Sequence, residues 1–190
     1  MDVAQAVEPK SEEHYIRLAL MNEDAQLEFF EGRIREKPSM SAEHNDAMFL
    51  LGLQLGQQLD LTRYRVRVNA GRTRRPTQSV FVPDVMVIPI EAERAQRRGP
   101  GHLEIYTEPL PFVLEVWSPR TGEYDVETKL PEYRARGDRE IWLLNPYGHD
   151  LVAWRRREDG TYERATYRGG KVQLFALPEV TIDLDALFAE

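Results

Sequence analysis

Two acids stand where acids are costly. Asp84 interrupts the apolar run at residues 80–88 (VFVPDVMVI), and Glu115 interrupts the run at 110–117 (LPFVLEVW). A carboxylate inside such a strand is expensive to bury unless it is paired or bound to a metal. Two carboxylates brought to roughly 4 Å repel by about 4 kcal/mol at an effective dielectric of 20. A divalent cation cancels that repulsion, and carboxylate oxygens suit Mg²⁺ or Mn²⁺. Lys129 follows Glu115 by fourteen residues, on a segment with helical character that can fold back over the strand end. Acid, acid and lysine around a hard cation can hydrolyse a phosphodiester. The metal lowers the pKa of an attacking water, and the ammonium orients that water or neutralises charge growing on the phosphoryl oxygens. Plainer roles stand beside these: a turn-forming Asp after Pro83, a Glu paired with an Arg, and a solvated helix lysine.

Positioning elements can be read on either side. Residues 1–10 are expected to be a flexible tail, and 11–190 a single domain. Residues 11–22 form a short amphipathic helix with Glu12 and Glu13 at its start, where negative charge is favoured. The segment at 27–37 turns at Glu31 and Gly32 into a hairpin. Apolar residues at Ala47, Met48, Leu50, Leu51, Leu55 and Leu59 follow helical spacing, so 42–59 is the longest helix. Residues 63–69 alternate as a half-exposed strand, 71–79 read as a polar loop, and 80–88 as one interrupted strand. The charged stretch 91–102, ending in Gly-Pro-Gly, reads as a surface loop. Residues 121–136 are helical if Pro131 divides them. After the strand at 140–144, the segments 151–155, 162–167 and 172–175 read as a β-meander, and 183–188 as a closing helix. The pattern is α+β, built around a mixed sheet.

Composition narrows the chemistry. The chain has 190 residues, 32 Asp plus Glu against 25 Lys plus Arg, and a formal charge of −7, which disfavours a general polyanion-binding surface. Cysteine is absent, excluding disulfides, thiolate metal sites and a cysteine nucleophile. No apolar run reaches the length of a membrane span and the start lacks a signal-peptide pattern, so a cytoplasmic protein is expected. Of the basic residues only Lys10, Lys37, Lys129 and Lys171 are lysines, which makes Lys129 stand out. Arg63, Arg65, Arg67, Arg72, Arg74 and Arg75 cluster just before the Asp84 strand. They can flank the acidic site as a nucleic-acid-binding arm, or simply charge an edge strand against aggregation.

A resemblance runs through these residues in order. Pro83-Asp84-Val85, then LEVWSPRT at 114–121, Asp125, Lys129, Tyr133, Gly137 and EIWLLNP at 140–146 are similar to the Uma-type (Uma-two) endonuclease family of the PD-(D/E)XK superfamily. The hairpin EFFEGRI at 28–34, His44 opening the long helix and the closing LPEVTIDLDALF extend the likeness to nearly the whole chain from residue 11. The resemblance implies a restriction-endonuclease-like fold: a central mixed β-sheet flanked by helices, here with an added C-terminal β-meander. It also implies metal binding by Asp84 and Glu115, with the Val116 carbonyl as a further ligand. Trp117 stands where the superfamily motif has its lysine, and the resemblance assigns that part to Lys129 on the next helix. Glu28, His44, Ser118 and Asp125 are accessory candidates. Asp125, one helical turn from Lys129, can orient it.

The expected activity is therefore metal-dependent hydrolysis of DNA with Mg²⁺ or Mn²⁺. The rival is a catalytically silent module on the same fold that binds nucleic acid or protein. A third option is self-association, with Trp142, Trp154 and Tyr167 supporting a homodimer.

Overall fold

The computed structural model describes residues 9–22 and 24–189. Most of the expected tail thus lies outside the described residues, and Lys10 donates its amide to the Gly32 carbonyl at 2.8 Å. Helix α1 (Glu12–Met21) starts at Ser11, whose hydroxyl accepts the His14 amide. Strands β1 (Leu27–Phe30) and β2 (Arg33–Glu36) form the expected hairpin. Its turn needs positive φ at Glu31 (45°) and Gly32 (79°), a conformation glycine adopts at no steric cost. Helix α2 (Ala42–Gln58) is capped by Ser41 and buries Ala47, Met48, Leu51 and Leu55. Fully burying a leucine such as Leu51 or Leu55 contributes roughly 1.5–3 kcal/mol.

Strand β3 (Tyr64–Val68) is followed by β4 (Arg72–Arg75) and β5 (Ser79–Phe81), so the stretch read as a polar loop contains paired strand. The run at 80–88 is not one interrupted strand. Its first part is β5, and its second is β6 (Val85–Pro89) in a different sheet. Pro83, which cannot donate to a ladder, sits where the chain changes sheets, and Asp84 follows it. Helix α3 (Ile90–Gln96) replaces the first half of the expected surface loop. Glu91 and Glu93 lie in its first turn, where they favour it.

The short β7 (Ile105–Tyr106) precedes β8 (Phe112–Val116), which carries Glu115. The expected helix after β8 is divided into α4 (Gly122–Tyr124), a π-helical turn (Asp125–Lys129) and α5 (Leu130–Arg136). Pro131, at the start of α5, has no N–H to give the preceding turn, and the wider π turn accommodates that break. Strands β9 (Glu140–Asn145), β10 (Asp150–Arg156) and β11 (Tyr162–Tyr167) follow. The chain closes with β12 (Lys171–Gln173), β13 (Thr181–Asp183) and α6 (Leu184–Leu187).

Six strands in the order β11-β10-β9-β8-β6-β3 make the central mixed sheet, antiparallel except for the β8 and β9 pair. A second sheet, β2-β1-β5-β4-β7, lies beside it. The expected meander is correct for β10 and β11, which extend the central sheet. It fails for the third strand, because β12 pairs with β13 in a separate ribbon.

Residues alternate across the central strands. Val85, Val87, Phe112 and Leu114 meet α2 and the C-terminal ribbon, while Met86, Ile88 and Val113 meet Phe81 and Tyr133 on the other side. Both faces are covered, so β6 and β8 read as continuous apolar runs. Alternation also puts Glu115 on the Val113 face, toward the helices that follow β8. Trp142 belongs to the core and packs edge-on to Phe112, while Trp154 and Tyr167 are half-buried against it.

Candidate active site

Five elements converge on one cleft of about 370 Å³, and a sixth braces it through Lys129. Asp84 arrives from the crossing between the sheets, and Glu115 from β8. His44 comes from the first turn of α2, and Lys37 from just past β2. Asp125 and Lys129 project from the π-helical turn. Glu28 of β1 reaches the same cluster from behind, through Lys129. All seven are buried or nearly so, with Asp84 1%, Glu115 3% and Lys129 2% exposed.

The charges are interleaved. Lys129 Nζ lies 2.9 Å from Glu28 Oε1, 3.2 Å from Glu115 Oε2 and 3.5 Å from Asp125 Oδ1. Glu28 Oε1 also accepts the Val82 amide at 2.9 Å, and the Tyr133 hydroxyl donates to Glu115 Oε1. At Asp84, Oδ1 receives Lys37 Nζ at 2.6 Å and Oδ2 receives the Val116 amide at 2.7 Å. Lys37 Nζ is held by the Val82 carbonyl and Asn69 Oδ1 as well. His44 Nε2 stands 3.2 Å from Asp84 Oδ2 without hydrogen-bond alignment.

These surroundings drive the two principal acids apart. Burial pushes Asp84 up, but the Lys37 ammonium, with His44 and Lys129 nearby, more than offsets it and holds the carboxyl well below the ordinary range. Burial pushes Glu115 up to about 8, helped by Asp84 and Asp125 and only partly opposed by Lys129. Asp125 is also raised, chiefly by burial. Burial alone would lower Lys129, yet the surrounding carboxylates raise it well above its usual value. Lys129 is therefore a fixed cation at neutral pH, while burial favours the protonated form of Glu115 there.

A divalent cation suits this donor set. Glu28, Asp84, Glu115 and Asp125 oppose Lys37 and Lys129, a formal surplus of two negative charges when all four acids are ionised. Among the described residues no three His, Asp or Glu side chains form a ready-made metal cage. Mg²⁺ does not need one, since it is commonly held by one or two carboxylates, with water and phosphate completing its shell. Asp84 and Glu115 fit that role, provided Lys37 yields Asp84 Oδ1.

The sequence singled out Asp84, Glu115, Lys129, His44, Asp125 and Ser118, and all line this cleft. Glu28 reaches Lys129 at the same cluster. Ser118 closes the turn at 118–121, with its hydroxyl 2.9 Å from Thr121 Oγ1. Val116 contributes its amide to Asp84.

The arginine cluster goes elsewhere. Arg67 pairs with Glu93 and Glu104, Arg74 with Glu12 and Arg75 with Glu132, while Arg72 Nε donates to the Tyr15 hydroxyl. Arg65 binds the Tyr64 carbonyl and Arg63 lies over the Tyr64 ring. None of the six lines the cleft.

Three contributors were not singled out for a role: Lys37, Tyr133 and Tyr147. Lys37 had a signal in the sequence, as one of only four lysines and placed just before the break at Pro38. A Cβ added at Gly122 would fall 1.8 Å from Trp117 Nε1, so this glycine makes room for the indole. Gly122→Ala is expected to displace Trp117, lowering Tm by several degrees and shifting tryptophan emission to the red, both readable in a thermal fluorescence scan.

A family model, Uma2, described as "Putative restriction endonuclease", matches residues 12–185. The chain belongs to the Uma2 family. A solved structure described as a "putative nuclease belonging to DUF820", from Anabaena variabilis ATCC 29413, is 17% identical, with a TM-score of 0.68 over 86% of this chain and 89% of that one. Its fold is therefore that of this Uma2 chain: mixed sheets flanked by helices, as the restriction-endonuclease-like reading expects. No curated protein matches the chain. No helix among the described residues is long and apolar enough to cross a membrane.

Proposed function

We propose that this Uma2 chain hydrolyses phosphodiester bonds in DNA with Mg²⁺ or Mn²⁺. The observation that carries this reading is the meeting of Asp84, Glu115 and Lys129 at the floor of one cleft, from three separate elements. Asp84, held ionised by Lys37, and Glu115, once deprotonated, are the residues that would hold the cation. A divalent cation bound there supplies an acidified water and polarises the phosphate. Lys129, fixed by Glu28 and Asp125, presents a positive charge to the phosphoryl oxygens as charge develops on them. Lys37, held by Asp84 at 2.6 Å, would be a second positive charge beside the substrate if Asp84 turned to a cation. The test is incubation of purified protein with plasmid and single-stranded DNA in Mn²⁺. Cleavage abolished by a chelator is expected, and no cleavage, or equal cleavage with the chelator present, overturns the proposal.

A pH dependence follows from Glu115. Its proton must leave before the carboxylate can hold a cation, so binding releases a proton below about pH 8. Calorimetry should show Mn²⁺ affinity rising by up to about tenfold per pH unit between pH 6 and 8, then levelling.

A further inference from the structure

We propose that the cleft takes an unpaired stretch of DNA, with a base stacked on Tyr147, in preference to continuous duplex. This rests on the hydrolytic reading above and narrows its substrate. The reacting groups lie at the bottom of the cleft, each 3% exposed or less. In regular duplex the phosphates are held on the outside of a stiff, paired cylinder. A single strand has no such constraint and can feed its backbone down to a buried floor.

The mouth of the cleft suits a base. Tyr147, 43% exposed, sits in the turn between β9 and β10 and lines the cleft. Its hydroxyl is 2.7 Å from Ser41 Oγ, which ties that turn to the start of α2. Trp117 meets the ring at 6.1 Å and 72°, and is itself seated over Gly122. The ring is therefore held in place before any ligand arrives, and base stacking on a fixed aromatic ring is tolerant of sequence, because every base has a π-face.

Charge argues the same way. Duplex binding leans harder on phosphate neutralisation than single-strand binding does, with about 0.9 against about 0.7 counterions released per neutralised phosphate. Here the arginine cluster is turned away from the cleft and mostly engaged within the protein, and the chain carries −7 overall. Arg120 is exposed at the cleft rim, where it can meet the phosphate next to the stacked base.

The test is fluorescence anisotropy with Glu115→Gln protein, to keep the DNA intact, and a labelled twelve-nucleotide DNA as a single strand or as its duplex. The single strand is expected to bind at least tenfold tighter. Tyr147→Ala should weaken single-strand binding by about tenfold. Tyr147→Phe, which keeps the ring and loses only the bond to Ser41, should stay within about twofold. Equal or tighter duplex binding, or no effect of Tyr147→Ala, overturns the inference. Cleavage assays with the unsubstituted protein separate the two ideas. Mn²⁺-dependent cutting of duplex without single-strand preference removes this inference and leaves hydrolysis standing. Preferential single-strand binding with no cleavage of any DNA supports this inference and removes hydrolysis.

Discussion

Glu115→Gln is expected to reduce metal-dependent cleavage at least about a hundredfold, equivalent to roughly 2.7 kcal/mol of transition-state stabilisation, while leaving the fold intact. The dissociation of the two effects is what makes the variant informative. Without a cation, Glu115 is pushed up to about 8 by burial, so at neutral pH it is mostly the neutral acid, which glutamine resembles in shape and charge. The substituted side chain keeps a carbonyl oxygen that can still accept from the Tyr133 hydroxyl. An acid that holds its proton more tightly when folded adds stability below its unfolded pKa and gives that stability up as the pH rises toward its folded pKa. The unsubstituted protein should therefore lose ground to Glu115→Gln between about pH 5 and 8. Thermal melts at pH 5, 7 and 9, beside a plasmid assay in Mn²⁺, check both halves. Undiminished cleavage would remove Glu115 from the chemistry, and a collapsed melt at pH 7 would remove the account of its protonation.

Glu115 and Asp84 were legible in the sequence for one reason: each breaks an apolar run, and the cost of burying a bare carboxylate turns that break into a signal. Helices α1 and α2 were legible from period and cap, and the first hairpin from Gly32. Strand β5 was hidden, because residues 80–88 look continuous when only their hydrophobicity is read. What divides them is the missing donor of Pro83, whose consequence depends on where other strands lie. Strand β4 was hidden because Arg72, Thr73, Arg74 and Arg75 lack an apolar face. The sequence cannot say that Glu12 and Glu132 receive Arg74 and Arg75 from distant parts of the chain. The same blindness leaves a nucleic-acid-binding arm and a charged edge strand as equal readings of those arginines.

Lys37 is the instructive omission. Its role depends on Asp84 and Asn69, 47 and 32 residues away, and no local pattern encodes that meeting. Lys129 was found because it lies close in sequence to Glu115 and because lysines are few. Its third partner, Glu28, arrives from the far end of the chain. The π-helical turn was not anticipated either, although Pro131 marked a break there. That turn carries Asp125 and Lys129 inward at the same time, and wide turns of this kind are frequent at functional sites.

Lys129→Met is expected to carry the largest stability cost in the cleft. The ammonium neutralises an arrangement of Glu28, Glu115 and Asp125 that is almost wholly removed from water. Methionine fills similar volume but supplies no charge. Removing one partner from a buried ionic cluster typically costs about 3–5 kcal/mol, which for a chain of this size lowers Tm by roughly 6–20 °C. The deficit should depend on pH in a definite direction. Lys129 is raised well above its ordinary value, so its contribution is fully present at neutral pH and fades only in strong alkali. The carboxylates it leaves behind can be relieved by protonation, and Glu115 and Asp125 are already raised by burial. The variant should therefore recover as the pH falls from 8 to 5, with its Tm gap to the unsubstituted protein narrowing over that interval. Differential scanning calorimetry across the range measures it. A gap that stays flat, or no gap at pH 8, would show that another group holds these acids together.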